Sequence, residues 1–271
     1  MSEGEIVYLD PLVARRLQAT LDEAPTVEVG EALPALYHWA YGADCVTASQ
    51  LGPDGHAKAG IFAPPADLPH RMWAGGRIEF LAPLAIGRVY THSSVLLKAE
   101  EKYGRSGRLK FVTLAHEMHD PSGQICLREE QDLVYRAGAI ASRQVKTFEL
   151  APEAVREIVT PDPVLLFRYS ALTFNGHRIH YDANYCRDVE GYPGLVVHGP
   201  LVATLLARLA TRIRPGMTIT RFWFRARAPL FDTAPFEIVA MAENPDSVRL
   251  FAQTPEGGVA MEASADFRSA G

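Results

Sequence analysis

Between Phe174 and Pro200 the chain reads FNGHRIHYDANYCRDVEGYPGLVVHGP, which brings His177, His180, Asp182 and His198 into one stretch. Imidazoles and a carboxylate at this density suit two chemistries. Histidine titrates near neutral pH and can both accept and return a proton, so His180 with Asp182 beside it would serve as an acid/base group. The pattern His-x-x-His-x-Asp could instead gather three ligands around a divalent metal. Spacing counts against the second use: on a helix, residues i and i+3 are neighbours while i+5 swings away. No further carboxylate or thiol follows at a helpful distance. The expectation is acid/base chemistry with no metal. Support from Asp182 requires an extended segment, where residues two apart share a side; otherwise Asp182 is placed to cap the short helix after it.

Such side chains need elements to hold them. GPLVATLLARLATRI has apolar residues at three-and-four spacing, and Gly199-Pro200 marks its start. LVARRLQATLD reads as an amphipathic helix, and LPALYHWAYGA as a shorter one with Trp39 in its core. Two strand-rich segments resemble each other. RIEFLAPLAIGRVYTHSSVLLKAEEK is followed by KFVTLAHEMHDPSGQICLREEQDLVYR, and RFWFRARAPLFDTAPFEIVAMAEN by VRLFAQTPEGGVAMEASADFR. Each alternates with period two, breaks at a proline-leucine pair (Pro83-Leu84, Pro229-Leu230) and turns at glycine before a last strand. Helix then antiparallel strands, written twice, argues for an α+β fold built by duplication, each sheet wrapped around a helix and the two sheets paired at their edges. The expected units are 1–137 and 154–271, with 138–153, small and polar, as the linker.

Composition narrows the classes of function. A hydrophobic share of 48% and a charged share of 22% over 271 residues suit a globular protein able to bury a core. A formal charge of −5 gives no general attraction to nucleic acid or an anionic membrane. Cys45, Cys126 and Cys186 are widely spaced and odd in number, which suits a reducing compartment and no disulfide framework. The first residues lack the order of a signal peptide, and the longest apolar run is interrupted by His198, Pro200 and Arg208. A cytoplasmic protein is expected.

The stretch FRYSALTFNGHRIHYDANYCRDVEGYPGLVVHGPLVATLL resembles the signature of the MaoC-like, R-specific enoyl-CoA hydratases. Tyr169-Ser170 match its start, His180-x-Asp182 its core, and His198-Gly199 its end. The resemblance extends to the hydroxyacyl-thioester dehydratase type 2 branch and to its mesaconyl-, methylfumaryl- and itaconyl-CoA hydratases. LYHWAY, LGPDGHAKAG, RMWAGGRIEF and EEQDLVYR carry that likeness through the first half.

The resemblance implies a double hotdog fold and reversible addition of water across the α,β-double bond of an acyl-CoA. A short branched or dicarboxylic substrate, giving a citramalyl-CoA-type product, is the preferred expectation. It implies one site per chain, no cofactor beyond the CoA of the substrate, and a homodimer. The family's catalytic aspartate aligns with Asn175 here, and an amide cannot take a proton at neutral pH. His180 is therefore expected to work single-handed, with Asn175 orienting water and Asp182 in support. An N–H at Gly194 or Gly199 would polarise the thioester carbonyl. Tyr169, His177, His198 and Trp73 are expected to line the substrate, with Arg71 meeting its free carboxylate. Arg225 and Arg227, with Arg221, or else Arg105, Arg108 and Lys110, are expected at the CoA phosphates. A thioesterase on the same fold, and a non-catalytic acyl-CoA-binding protein, are the alternatives.

Overall fold

Alternating strands set the architecture. The computed structural model describes residues 4–43, 45–60, 65, 67–68, 70–104, 107–137, 147 and 153–269. The first half supplies β1 (Glu5–Tyr8), β2 (His70–Phe80), β3 (Val89–Gly104), β4 (Gly107–His119) and β5 (Ile125–Arg136). The second supplies β6 (Val155–Val159), β7 (Met217–Ala226), β8 (Phe236–Asn244), β9 (Ser247–Gln253) and β10 (Val259–Ser269). They form one antiparallel sheet in the order β1-β3-β4-β5-β2-β7-β10-β9-β8-β6. The order is mirrored: each half places its first strand at an outer edge and its second at the middle. Pro83 and Pro229 fall in the β2–β3 and β7–β8 connections, and Gly123 and Gly257, at φ 87° and 81°, turn the last hairpins.

The middle of the sheet depends on two small residues. Gly75 pairs with Arg225 and Gly76 with Phe224. A Cβ on Gly75 would lie 2.6 Å from the Phe224 carbonyl oxygen, which is backbone and cannot swing aside. Gly75→Ala is therefore expected to cost about 1–3 kcal/mol of stability, as overpacking against a fixed neighbour does. A urea midpoint lowered without a change in m-value would show it, and an unchanged midpoint would refute it.

Among the described residues four α-helices accompany the strands: α1 (Pro11–Thr20), α2 (Pro163–Leu172), the single turn α3 (Ala183–Tyr185) and α4 (Gly199–Arg212). α1 and α2 occupy equivalent places in the two halves and start alike. Asp10 accepts from the Leu12 N–H at 2.8 Å and Asp162 from the Leu165 N–H at 2.7 Å, each followed by proline. α4 lies along the inner face of β7–β10 and buries Leu201, Leu205, Leu206 and Leu209 against Phe222, Phe224, Ile238 and Leu250. Each such side chain contributes about 2 kcal/mol.

Among the described residues no matching helix fills the first half. The helix expected over LPALYHWAYGA is one 3-10 turn, Tyr37–Ala40, because Leu36 before it sits at φ 68° and breaks the helical path. Against the inner face of β2–β5, where α4 would have its counterpart, lies a cavity of about 670 Å³. Trp39 lines it and packs on the main core at the same time, its indole N–H donating to Glu129 at 3.0 Å. Glu129 also meets His38 Nε2 at 2.9 Å. Burial disfavours its carboxylate, but these hydrogen bonds outweigh burial and hold its pKa below the usual range.

The arrangement is an α+β double hotdog, one half holding a helix and the other a cavity. The expected linker 138–153 lies outside the described residues except for Thr147, which bridges to Gly258, and Glu153. Among the described residues no helix is long and apolar enough to cross a membrane.

Candidate active site

The C-terminal end of α2, the loop 173–182 and the start of α4 converge at the mouth of the cavity. Phe174, at φ 49°, turns the chain back after α2, and the Asn175 N–H closes the turn on the Ser170 carbonyl at 2.8 Å. Asn175 Oδ1 then accepts from the His177 N–H at 3.0 Å. Its carbonyl oxygen is engaged by backbone, which leaves the amide nitrogen, a donor, as its other polar group.

His180 is buried, with Nδ1 2.7 Å from the Val196 carbonyl oxygen. A carbonyl can only accept, so this hydrogen-bond network assigns the proton to Nδ1 and leaves Nε2 with a lone pair. Burial pushes the His180 pKa down to about 4, with the Val196 hydrogen bond opposing. The ring is neutral at physiological pH and able to accept a proton. It stacks on His198 at 3.6 Å and 17°, and His177 meets it edge-on at 5.5 Å. Burial also holds His177 and His198 well below the usual histidine range.

His198 stands at the N-cap position of α4 without a side-chain capping hydrogen bond, and its ring ties the start of α4 to α2 through Ser170 Oγ, 2.8 Å from its Nε2. Its Nδ1 is buried without a hydrogen-bond partner. Tyr169 packs on the same ring at 5.0 Å and lines the large cavity. The three pieces of the sequence motif thus meet in space.

A second cavity, about 160 Å³, joins the first at this point. His180, His177 and Gly199 line it, while His56, Arg71, Trp73 and Asn175 line both. Gly199 is the first residue of α4, where the N–H has no intrahelical acceptor and the helix dipole is positive. Nothing lies within 4 Å of where its Cβ would stand, so a ligand atom has room there.

Other expected residues are placed differently. Asp182 does not support His180, because the local chain is a 3-10 turn rather than a strand. Its carboxylate caps α3 by accepting from the Tyr185 N–H at 3.0 Å, and it pairs with Arg178 at 2.8 Å. The ligand set His177, His180 and Asp182 therefore does not converge. Gly194 lines neither cavity: it packs on Asp232, whose Oδ1 would be 2.4 Å from a Cβ. Arg225 stands on the outer face of β7, opposite Phe222 and Phe224, and lines neither cavity. Arg227 is also exposed and pairs with Glu262. Arg221 pairs with Glu79 at 3.3 Å, Arg108 with Glu101 at 2.5 Å, and Arg105 lies outside the described residues.

Three residues near the site were not singled out from the sequence. Asp54 and His56, on a loop of the first half, form a hydrogen-bonded pair, Oδ2 to Nδ1 at 2.9 Å. Their sequence signal is Asp-Gly-His, a turn-forming pattern inside LGPDGHAKAG, one of the segments that carry the family resemblance without marking either residue. Arg136, at the end of β5, lines the small cavity, and its Nε and Nη1 are buried without hydrogen-bond partners. Asp54, His56 and His177 bring one donor atom each within 4.8 Å of one another, the one such group among the described residues. Arg71 lies close enough to disfavour further positive charge on His56 and His177, and both Asp54 oxygens are already engaged by His56. A hydrogen-bonded pair fits this geometry better than a cation.

Comparison with known proteins agrees with the motif. The family model for hydroxyacyl-thioester dehydratase type 2 matches residues 36–232. A mesaconyl-C(4)-CoA hydratase from Chloroflexus aurantiacus is 47% identical over 266 residues, spanning 97% of this chain and 93% of that protein. The mitochondrial hydroxyacyl-thioester dehydratase type 2 of Schizosaccharomyces pombe is 29% identical, spanning 74% of this chain and 75% of its own. Among solved structures, a MaoC-like dehydratase superposes with a TM-score of 0.73 at 14% identity, covering 100% of this chain and 97% of the other. A Mycobacterium tuberculosis protein described as a double hotdog superposes at 0.60 and 14% identity, covering 99% and 97%. At those identities the structures speak for the fold alone. From the family match and the near full-length relative, the chain belongs to the hydroxyacyl-thioester dehydratase type 2 family.

Proposed function

We propose that this protein hydrates short, branched or dicarboxylic enoyl-CoA thioesters reversibly, mesaconyl- or itaconyl-CoA being the type. As a member of its family the chain is a hydro-lyase of the MaoC-like kind, and acyl-CoA is its substrate class. The observation that carries the reading is His180: a buried imidazole whose Nε2 is left as an acceptor, in a cavity shared with Asn175 and the start of α4.

In the forward direction His180 Nε2 takes a proton from water as its oxygen attacks the β-carbon, and returns that proton to the α-carbon. Asn175 donates through its amide to orient the reacting groups. The Gly199 N–H meets charge building on the thioester oxygen, a contribution of about 2–4 kcal/mol for an oxyanion donor. The thioester arm reaches the site through the large cavity, past Trp39 and Tyr169, and the acyl group enters the small one. There Arg71 and Arg136 suit a free carboxylate, Arg136 offering two buried N–H groups that no described residue satisfies. No metal or redox group enters these steps. A homodimer remains part of the proposal, supported by the exposed run Val95, Leu96 and Leu97 on β3.

The test is an assay in EDTA with crotonyl-, mesaconyl-C4- and itaconyl-CoA, the products read by mass spectrometry. Gain of one water on the dicarboxylic esters is the expected result. Arg136→Leu should raise KM for those esters by about tenfold or more and leave crotonyl-CoA unaffected. Release of free CoA thiol without hydration would overturn the reading in favour of a thioesterase.

A further inference from the structure

Hydration asks for two acceptors around the attacking water, one for each hydrogen, so that a lone pair is left facing the β-carbon. His180 Nε2 supplies one. Asn175 is the weaker candidate for the other, since one lone pair of its Oδ1 is taken by the His177 N–H and its amide nitrogen only donates.

We propose that His56, contributed by the first half, is the second catalytic imidazole, gripping the attacking water through Nε2, with Asp54 as its positioning residue. This rests on the hydratase reading above. Asp54 holds His56 at two points: Oδ1 accepts from its backbone N–H at 3.0 Å and Oδ2 meets Nδ1 at 2.9 Å. The ionised carboxylate keeps the proton on Nδ1, so Nε2 carries a lone pair, as it does in His180. Burial works against the Asp54 carboxylate, yet the His56 hydrogen bonds outweigh it and hold its pKa below the usual value. Burial keeps His56 itself below the ordinary histidine range. His56 is buried, lines both cavities as Asn175 does, and its ring centre is 4.0 Å from that of His177.

The placement is built into the join between the halves. The Arg178 N–H donates to the Asp54 carbonyl at 2.9 Å, and Arg178 Nη1 to the Pro53 carbonyl at 3.0 Å. Gly55, at φ 90°, lies so close to the other loop that a Cβ would be 1.8 Å from the Gly176 carbonyl oxygen. Only glycine lets the two loops meet.

Atoms and electrons balance across the step. The water oxygen bonds to the β-carbon, and one O–H bond breaks with its proton going to His180 Nε2. The π pair moves onto the α-carbon and thioester oxygen, and the α-carbon then takes the proton from His180. The second O–H survives as the product hydroxyl, with His56 Nε2 accepting its hydrogen bond throughout.

Asp54→Asn tests this with little change of shape. Its amide would donate to Nδ1, move the imidazole proton to Nε2 and turn the acceptor into a donor. kcat is expected to fall about 100-fold or more with KM within about threefold, and His56→Ala to match it. His56→Gln, which restores an acceptor oxygen near the Nε2 position, should recover about tenfold over alanine. A merely structural role would not give that rescue. The proposal is overturned if wild type hydrates, His180→Ala does not, and Asp54→Asn and His56→Ala keep kcat within about threefold. It is equally overturned if the glutamine variant is no better than alanine and both melt far below wild type. A wild type that hydrates none of the enoyl-CoA esters defeats the hydratase reading itself, and this inference with it.

Discussion

Replacing His180 by alanine is expected to lower kcat for hydration by about 10³-fold or more, because the imidazole is the one group in the reading that both takes and returns a proton. Neither neighbour can substitute. Asn175 has no titratable group, and His198 is occupied by Ser170 on one side and stacked on His180 on the other. KM should change little, since the thioester arm meets the large cavity and Gly199 rather than His180. The measurement is steady-state kinetics on a dicarboxylic enoyl-CoA, with melting temperature and binding of the CoA ester as controls. A variant that binds the ester but has lost turnover is the expected result. A variant retaining a tenth or so of wild-type kcat would remove His180 from the acid/base role.

The parts of this site that lie close together in the chain are legible in the sequence. Tyr169, Ser170, Asn175, His180 and His198 fall in one motif, and the Gly199-Pro200 start of α4 follows from backbone chemistry. The strands are legible because alternation such as Phe222 and Phe224 records a half-buried face directly. α2 is less so: PVLLFRYSAL is apolar nearly all round, since Leu166 faces the core while Phe167 faces the large cavity, and no period stands out.

Where sequence and fold part company, the cause is backbone geometry or distance along the chain. LPALYHWAYGA has the spacing of a helix, but a left-handed residue at Leu36, which spacing does not reveal, stops it. Asp182 is ambiguous between support and cap for as long as the local backbone is unknown. His56 and Asp54 are hidden for another reason: their partners lie at 176–178, across the join of the two halves. Only closure of the sheet at β2 and β7 brings them together, and no local pattern reports a contact of that range.

The same burial that prepares the imidazoles should make the protein acid-labile. His180 binds a proton only near pH 4 when folded, while in the unfolded chain it does so from 6.5 downward. Between those values the unfolded state holds more protons, so stability is fully present above pH 6.5 and is lost as pH falls toward 4. By pH 4.5 His180 alone accounts for about 2–3 kcal/mol, at about 1.4 kcal/mol per pH unit. His177 and His198, also lowered by burial, add in the same direction, and His92, brought to about 4 by burial and by His116, joins them. For a chain of this size the roughly 5 kcal/mol from His180 and His92 together corresponds to a melting temperature lower by about 10–20 °C at pH 4.5 than at pH 7.5. Carboxylates held low, such as Asp54 and Glu129, act in the same direction but at more acid pH. Melting curves across that range, for wild type and for His180→Gln, make the test, with the variant expected to show the shallower fall. A melting temperature that does not move would mean that the imidazoles take up protons in the folded protein as readily as in the unfolded chain, so that burial does not hold them neutral. His180 would then titrate at the ordinary histidine value, so a flat curve would overturn burial as the cause of its lowered pKa while leaving a neutral imidazole that can accept a proton at pH 7.5.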